Sequence, residues 1–168
     1  MFLNDKQLLW ISEQKYLGVF LCNDMSDSKD MNREMRSIYA KGNLLLRCLR
    51  KCTVPVKECI FKTYFSDFYC NQLWCRYTPQ LYRKVKIAFN NIFRFLMGIP
   101  RFARISISKE FVSRRMDSFD VIMRKSCANL RCRLHKSDNK LVKTVLESNF
   151  FMFSSKINMM WRKHIFTI

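Results

Sequence analysis

Three sets of side chains in this sequence have the types that do chemistry. They are eight cysteines with two histidines, a run of evenly spaced aspartates, and arginines and lysines interleaved with aromatic rings. The cysteines are Cys22, Cys48, Cys52, Cys59, Cys70, Cys75, Cys127 and Cys132, and the histidines are His135 and His164. A structural zinc site needs two close ligand pairs wrapped around one tetrahedral ion. No two cysteines here have the C-x2-C spacing. Cys48/Cys52, Cys70/Cys75 and Cys127/Cys132 are four or five residues apart, as neighbours on a helix would be. Cys127, Cys132 and His135 form the best remaining ligand cluster. The competing reading is free thiols, buried or half-buried, in a reducing compartment. Nothing local supports a Cys/His nucleophile.

Asp24, Asp27 and Asp30 recur every third residue but lack the alternating carboxylates and glycine of a calcium loop. They read as turn and helix-start acids. The chain has no adjacent Asp pair to hold a phosphoryl-transfer metal, and no G-x-x-x-x-G-K, G-x-G-x-x-G or G-x-S-x-G. No catalytic residue is assigned, and no cofactor is expected in this chain.

The basic and aromatic residues remain. Arg76-Tyr77, Tyr82-Arg83-Lys84, Phe93-Arg94-Phe95 and Arg101-Phe102-Ala103-Arg104 are the densest cases. Arginine and lysine neutralise phosphates, and aromatic faces stack bases of single strands. At helical spacing the same rings also serve as core, and the same cations as a solvated face with apolar stems. Both readings stand for any one aromatic. The basic face as a whole is expected to meet nucleic acid.

These residues need elements to position them. Gln7–Ile11 and Tyr16–Leu21 read as strands, with Ser12–Lys15 as the connection and Gly18 as a bulge. From Ser26 the period becomes helical, with Met31, Met35, Ile38, Gly42, Leu45 and Leu49 on one face. Pro55 opens a second helix with Ile60, Tyr64, Phe68 and Leu73 on its face. Thr78 caps a third and Pro79 opens it. Its stripe is Leu81, Val85, Ala88, Phe89, Ile92, Phe95 and Leu96, and Gly98 and Pro100 end it. Arg83, Lys84, Lys86 and Arg94 lie on its other face. Further helices are expected at about 109–116, 118–135 and 138–147, and a last one at about 154–164. The fold class is therefore mainly α, a short N-terminal β-hairpin followed by a five- to six-helix bundle. The segments are 1–25 for the hairpin, 26–150 for the bundle, and 151–168 for a C-terminal helix or tail.

Composition narrows the partners. In 168 residues, 31 lysines and arginines face 13 acidic residues, a net charge of +18. Residues 1–30 hold three basic and five acidic side chains, whereas 76–136 hold fifteen and three. A surplus of this size favours polyanions, nucleic acid before an anionic membrane surface. Fifteen phenylalanines with three glycines and three prolines speak for a folded core and against a disordered basic tail. No run approaches a spanning helix and the N-terminus lacks the pattern of a signal peptide. The expected location is intracellular, nuclear or cytoplasmic.

Several of these segments resemble the reverse transcriptases of non-LTR (LINE-type) retrotransposons. Lys15-Tyr16-Leu17-Gly18-Val19 is similar to the family's K-Y-L-G-v strand. Asn43–Arg47, Val56–Lys57 through Phe61–Tyr64, and Tyr69–Trp74 look like the helices after it. Ala88–Arg101 resembles the a-y-N-n-a-x-R-x-l-l-G-l-P-r stretch, and Ser118–Lys125 the S-F-d-x-l-x-R element. The order is right, and the likeness covers roughly residues 15–140. The resemblance implies a polymerase thumb and post-thumb region acting in target-primed reverse transcription. It would hold RNA and RNA–DNA hybrid or DNA, with no small-molecule substrate and no membrane. Fingers, palm and the Asp pair with its Mg would precede residue 1, so the chain is expected to be a fragment that does not polymerise alone. The hairpin would be a palm-edge remnant bearing Lys15 and Tyr16 near the primer grip. The expected nucleic-acid-binding residues are Lys15, Tyr16, Arg83, Lys84, Lys86, Arg94, Arg101, Arg104, Arg124 and Lys125.

Overall fold

The structure, a computed structural model, describes residues 2–3, 6–7, 11–100 and 102–166. Strands β1 (Phe2–Leu3) and β2 (Lys6–Gln7) form a short antiparallel pair. Strands β3 (Glu13–Tyr16) and β4 (Val19–Cys22) form the main hairpin, with Tyr16 opposite Val19 and Glu13 opposite Cys22. The turn is therefore Leu17-Gly18, both at positive φ (46° and 83°) as a two-residue hairpin turn requires. Residues 12–15 are not the connection: Glu13–Lys15 are strand. Gly18 is a turn residue and not a bulge. The expected first strand, Gln7–Ile11, lies largely outside the described residues.

Seven α-helices follow among the described residues. Helix α1 (Ser28–Cys48) buries Met31, Ile38, Gly42 and Leu45, the face its periodicity predicts. Helix α2 (Val54–Phe65) begins at Thr53-Val54-Pro55 but buries Phe61 and Phe65, and leaves Tyr64 exposed. The expected stripe was out of phase, and it ran on too far. The helix stops at Phe65, Phe68 reaches the core from the following loop, and Leu73 is exposed in a short 3-10 turn at Asn71–Leu73.

Helix α3 (Pro79–Met97) is bounded as the sequence predicts. The Thr78 hydroxyl accepts from the Leu81 N–H at 3.2 Å, Pro79 needs no partner at the first position, and Gly98 ends the helix at φ 69°. One correction concerns its core face: Phe93 is fully buried and Phe95 is 47% exposed. Helices α4 (Ile107–Ser113), α5 (Phe119–His135), α6 (Lys140–Glu147) and α7 (Lys156–Phe166) complete the chain, with a π-turn at Phe150–Ser154 before the last. Asn139 caps α6, accepting from the Leu141 and Val142 N–H groups.

Helices α1 and α3 lie against each other and form the spine, and α2 packs on α3 while α7 packs on α5. The core is built on phenylalanine. Phe61, Phe65, Phe68, Phe89, Phe93, Phe111 and Phe119 meet at centroid distances of 4.2–6.3 Å, many of them tilted or edge-on. Each such buried side chain stabilises by roughly 1.5–3 kcal/mol, which lets a strongly charged surface coexist with a stable interior.

Candidate nucleic-acid interface

The α3 helix carries the site because its caps fix which residues face outward. With Leu81, Val85, Ala88, Phe89, Ile92 and Phe93 turned inward, the 3.6-residue period leaves Arg83, Lys84, Ile87 and Phe95 exposed on the opposite side. Among the described residues, Arg83 and Lys84 make no ion pair or hydrogen bond. Arg104, exposed in the loop beyond α3, likewise has no partner among them.

The other expected contacts divide. Lys86 reaches across to α5, where its Nζ lies 2.5 Å from Asp120 Oδ2, and Tyr82 Oη donates to the other Asp120 oxygen at 2.9 Å. Lys125 pairs with Asp117 at 2.5 Å. Arg124 donates to the His164 carbonyl at 3.2 Å, tying α5 to α7. Arg94 is a loop clamp: its guanidinium donates to the Pro100 and Ile105 carbonyls, each at 3.2 Å. Arg101 lies outside the described residues. Lys15 and Tyr16 are exposed on the hairpin, and the Lys15 ammonium sits 6.0 Å from the Phe20 ring centre. The structure thus brings Arg83, Lys84 and Arg104 to α3 and its exit, and sets Lys15 and Tyr16 on a separate element.

A second basic row was missed. Arg36 and Arg47 on α1, with Arg50 and Lys51 just past it, are exposed and have no partner among the described residues. The available signal was the absence of any acidic residue between Glu34 and Glu58.

The interleaved aromatics, ambiguous in the sequence, separate cleanly. Tyr77 and Tyr82 stack on each other at 5.6 Å and are half-buried, and burial raises both hydroxyl pKa values. Phe93 is core. Phe95 and Phe102 remain in solvent.

The acidic residues hold the frame. Asp27 Oδ2 accepts from the Cys75 and Arg76 N–H groups at 2.7 and 2.6 Å. Asp30, 1% exposed, accepts from Trp74 Nε1 at 2.9 Å and Arg33 Nε at 2.8 Å. Glu34 beside them is buried, and that burial raises its pKa against the opposing pull of Arg33 and Lys41.

All eight cysteines are free thiols, and burial pushes that of Cys127 up to about 11. Among the described residues no three His, Cys, Asp or Glu side chains are placed to hold a metal ion. Cys132 and His135 are exposed on the last turns of α5 while Cys127 points into the core. No described helix is long and apolar enough to cross a membrane. Compared with known proteins, the chain has no significant match to a protein-family model, a curated protein or a solved structure.

Proposed function

We propose that this chain is the thumb and post-thumb region of a non-LTR retrotransposon reverse transcriptase, gripping the backbone of RNA and of RNA–DNA hybrid or DNA without catalytic residues of its own. One observation carries the reading. The outer face of α3 and its exit loop present Arg83, Lys84 and Arg104 with no partner among the described residues, in a chain of net charge +18. The best-matched motif, residues 88–101, runs from the middle of the same helix into the same loop. Phosphate neutralisation by such side chains releases counterions, so log affinity falls with log salt at a slope of about −0.7 to −0.9 per contact. Filter binding of an RNA–DNA hybrid across a salt series tests this. Tight binding at low salt with a steep slope is expected. A flat salt profile, or no binding at low salt, overturns the reading.

A second reading, a helical protein-interaction module, is favoured by a different observation. Leu141 and Val145 on α6 are exposed beside an apolar groove of about 250 Å³ lined by Leu134, Val142, Leu146 and Phe151. Lys140 lies on the same helix, as does Lys143, which stands 3.6 Å from Asp138, so the complementary partner is an acidic amphipathic helix. Anisotropy with an acidic amphipathic peptide, against its Lys-substituted counterpart, is expected to show binding that Leu141→Glu with Val145→Glu abolishes. Equal binding of both peptides overturns this reading.

A further inference from the structure

We infer that Phe102 is a base-stacking residue, and that the exit loop of α3 therefore takes single-stranded nucleic acid. The inference rests on the nucleic-acid reading and names its substrate class at that end.

Phe102 is 92% exposed, more than any other large apolar side chain described. A loop that merely wandered would leave such a ring free to fold back onto the protein. This loop is pinned on both sides of it. Gly98 turns the chain in the left-handed region, Ile99 is buried, and the Ile99 N–H donates to the Arg94 carbonyl at 2.9 Å. The Ala103 N–H, next after Phe102, donates to the Pro100 carbonyl at 3.1 Å. The Arg94 guanidinium grips the loop at Pro100 and again at Ile105. Ala103 and Ile107 pack against the core. The loop is thus fastened on either side of Phe102 while the ring itself lies in solvent, so a ligand meets an aromatic face on an anchored backbone.

The neighbours fix the ligand class. Arg104 is exposed and unpaired two residues on, and Phe95 is half-exposed in the last turn of α3. A phenyl face and an uncompensated guanidinium two residues apart in one loop is the combination that holds a base and its phosphate together. In a duplex the bases are already stacked and paired, so their faces are closed to an added ring. A single strand offers both groups at once.

Affinity of the full chain for a single-stranded 12-mer and for a blunt RNA–DNA hybrid of equal length tests this, with Phe102→Ala and Phe102→Trp. Because Phe102 is solvent-exposed, neither change disturbs the core. Phe102→Ala is expected to weaken single-strand binding about 5- to 150-fold, the range that stacking of one base gives. Hybrid binding stays within about twofold, and the salt slope is unchanged. Phe102→Trp is expected to retain affinity and to show added fluorescence that the single strand quenches. Unchanged single-strand affinity in Phe102→Ala, or an equal loss on the hybrid, overturns the inference while leaving the backbone-binding reading intact. Failure of the unmodified chain to bind either polymer overturns both.

Discussion

Asp30 shows what a residue can do that its local sequence does not announce. In the sequence, Asp24, Asp27 and Asp30 have the spacing of turn and helix-start acids, and two of them keep that role in part. Asp24 accepts from the Ser26 N–H at 2.9 Å, and Asp27 stands at the N-cap position of α1. The further partners of Asp27 and Asp30 lie 44 to 49 residues away, at Trp74, Cys75 and Arg76. No short-range pattern carries that information. The consequence is mechanical: α1, the hairpin and the 70–76 segment are held by the half-buried Asp27 and the buried Asp30, with the Phe20 N–H also directed at Asp30 at 3.4 Å. Removing the carboxylate strands the Trp74 indole N–H and part of the Arg33 guanidinium. Asp30→Ala is therefore expected to lower stability by about 3–5 kcal/mol, read as a shift of the urea midpoint. The same substitution at exposed Asp24 is expected to cost about 1 kcal/mol or less.

At the scale of elements, legibility followed the strength of local signals. The ends of helix α3 are readable to the residue because threonine, proline and glycine each have a stereochemical reason to stand where they do, whereas its inner face is not, as Phe93 and Phe95 show. Helix α2 was misread by one position because Ile60-Phe61 and Tyr64-Phe65 are adjacent apolar pairs, and only packing against Phe89 and Phe93 selects the inner member. The hairpin was displaced for a related reason. Leucine at positive φ is unfavourable in isolation, and the Tyr69 hydroxyl, donating to the Leu17 carbonyl at 2.6 Å, holds it from outside the hairpin. The spine depends on Gly42, where an added Cβ would lie 2.4–2.8 Å from three side-chain carbons of the fully buried Ile92. Gly42→Ala is expected to destabilise by about 1–3 kcal/mol through overpacking, despite alanine's better helix propensity. Combination with Ile92→Val is expected to recover part of that loss in a thermal melt. Helix α7 is docked by His164, whose Nε2 is 2.9 Å from Tyr77 Oη, with the Tyr82 ring 5.6 Å away. Burial, then Lys163 and Arg124, lower its pKa below 6.5, against the opposing pull of Asp120. The unfolded chain thus binds this proton more readily. The stabilisation is complete above pH 6.5 and is lost as pH falls through 6.5 towards the depressed folded value. A melting temperature that drops over this interval, and drops less in His164→Gln, is the expected result.

For the whole molecule, the charge surplus was legible as a number and became informative only once its partners were located. Sequence places Arg83, Lys84, Lys86 and Arg94 together on one helix. The fold ties Lys86 to Asp120 and Arg94 to a loop, and leaves Arg83 and Lys84 free with Arg104 beyond them. Side-chain pairing across elements, like the contrast between Phe93 and Phe102, is decided by tertiary packing and has no sequence signature of its own. A protein this basic has few acidic groups with which to neutralise itself, so its unpaired cations favour an outside polyanion. The most direct measurement is the salt dependence of affinity for an RNA–DNA hybrid, compared between the unmodified chain and Arg83→Ala/Lys84→Ala/Arg104→Ala of matched thermal stability. Loss of up to three phosphate contacts is expected to make the log–log slope shallower by about 2 to 3, with weaker binding on every sequence tried. An identical slope in the two proteins, or no binding by the unmodified chain, would contradict the claim that α3 and its exit loop grip a nucleic-acid backbone.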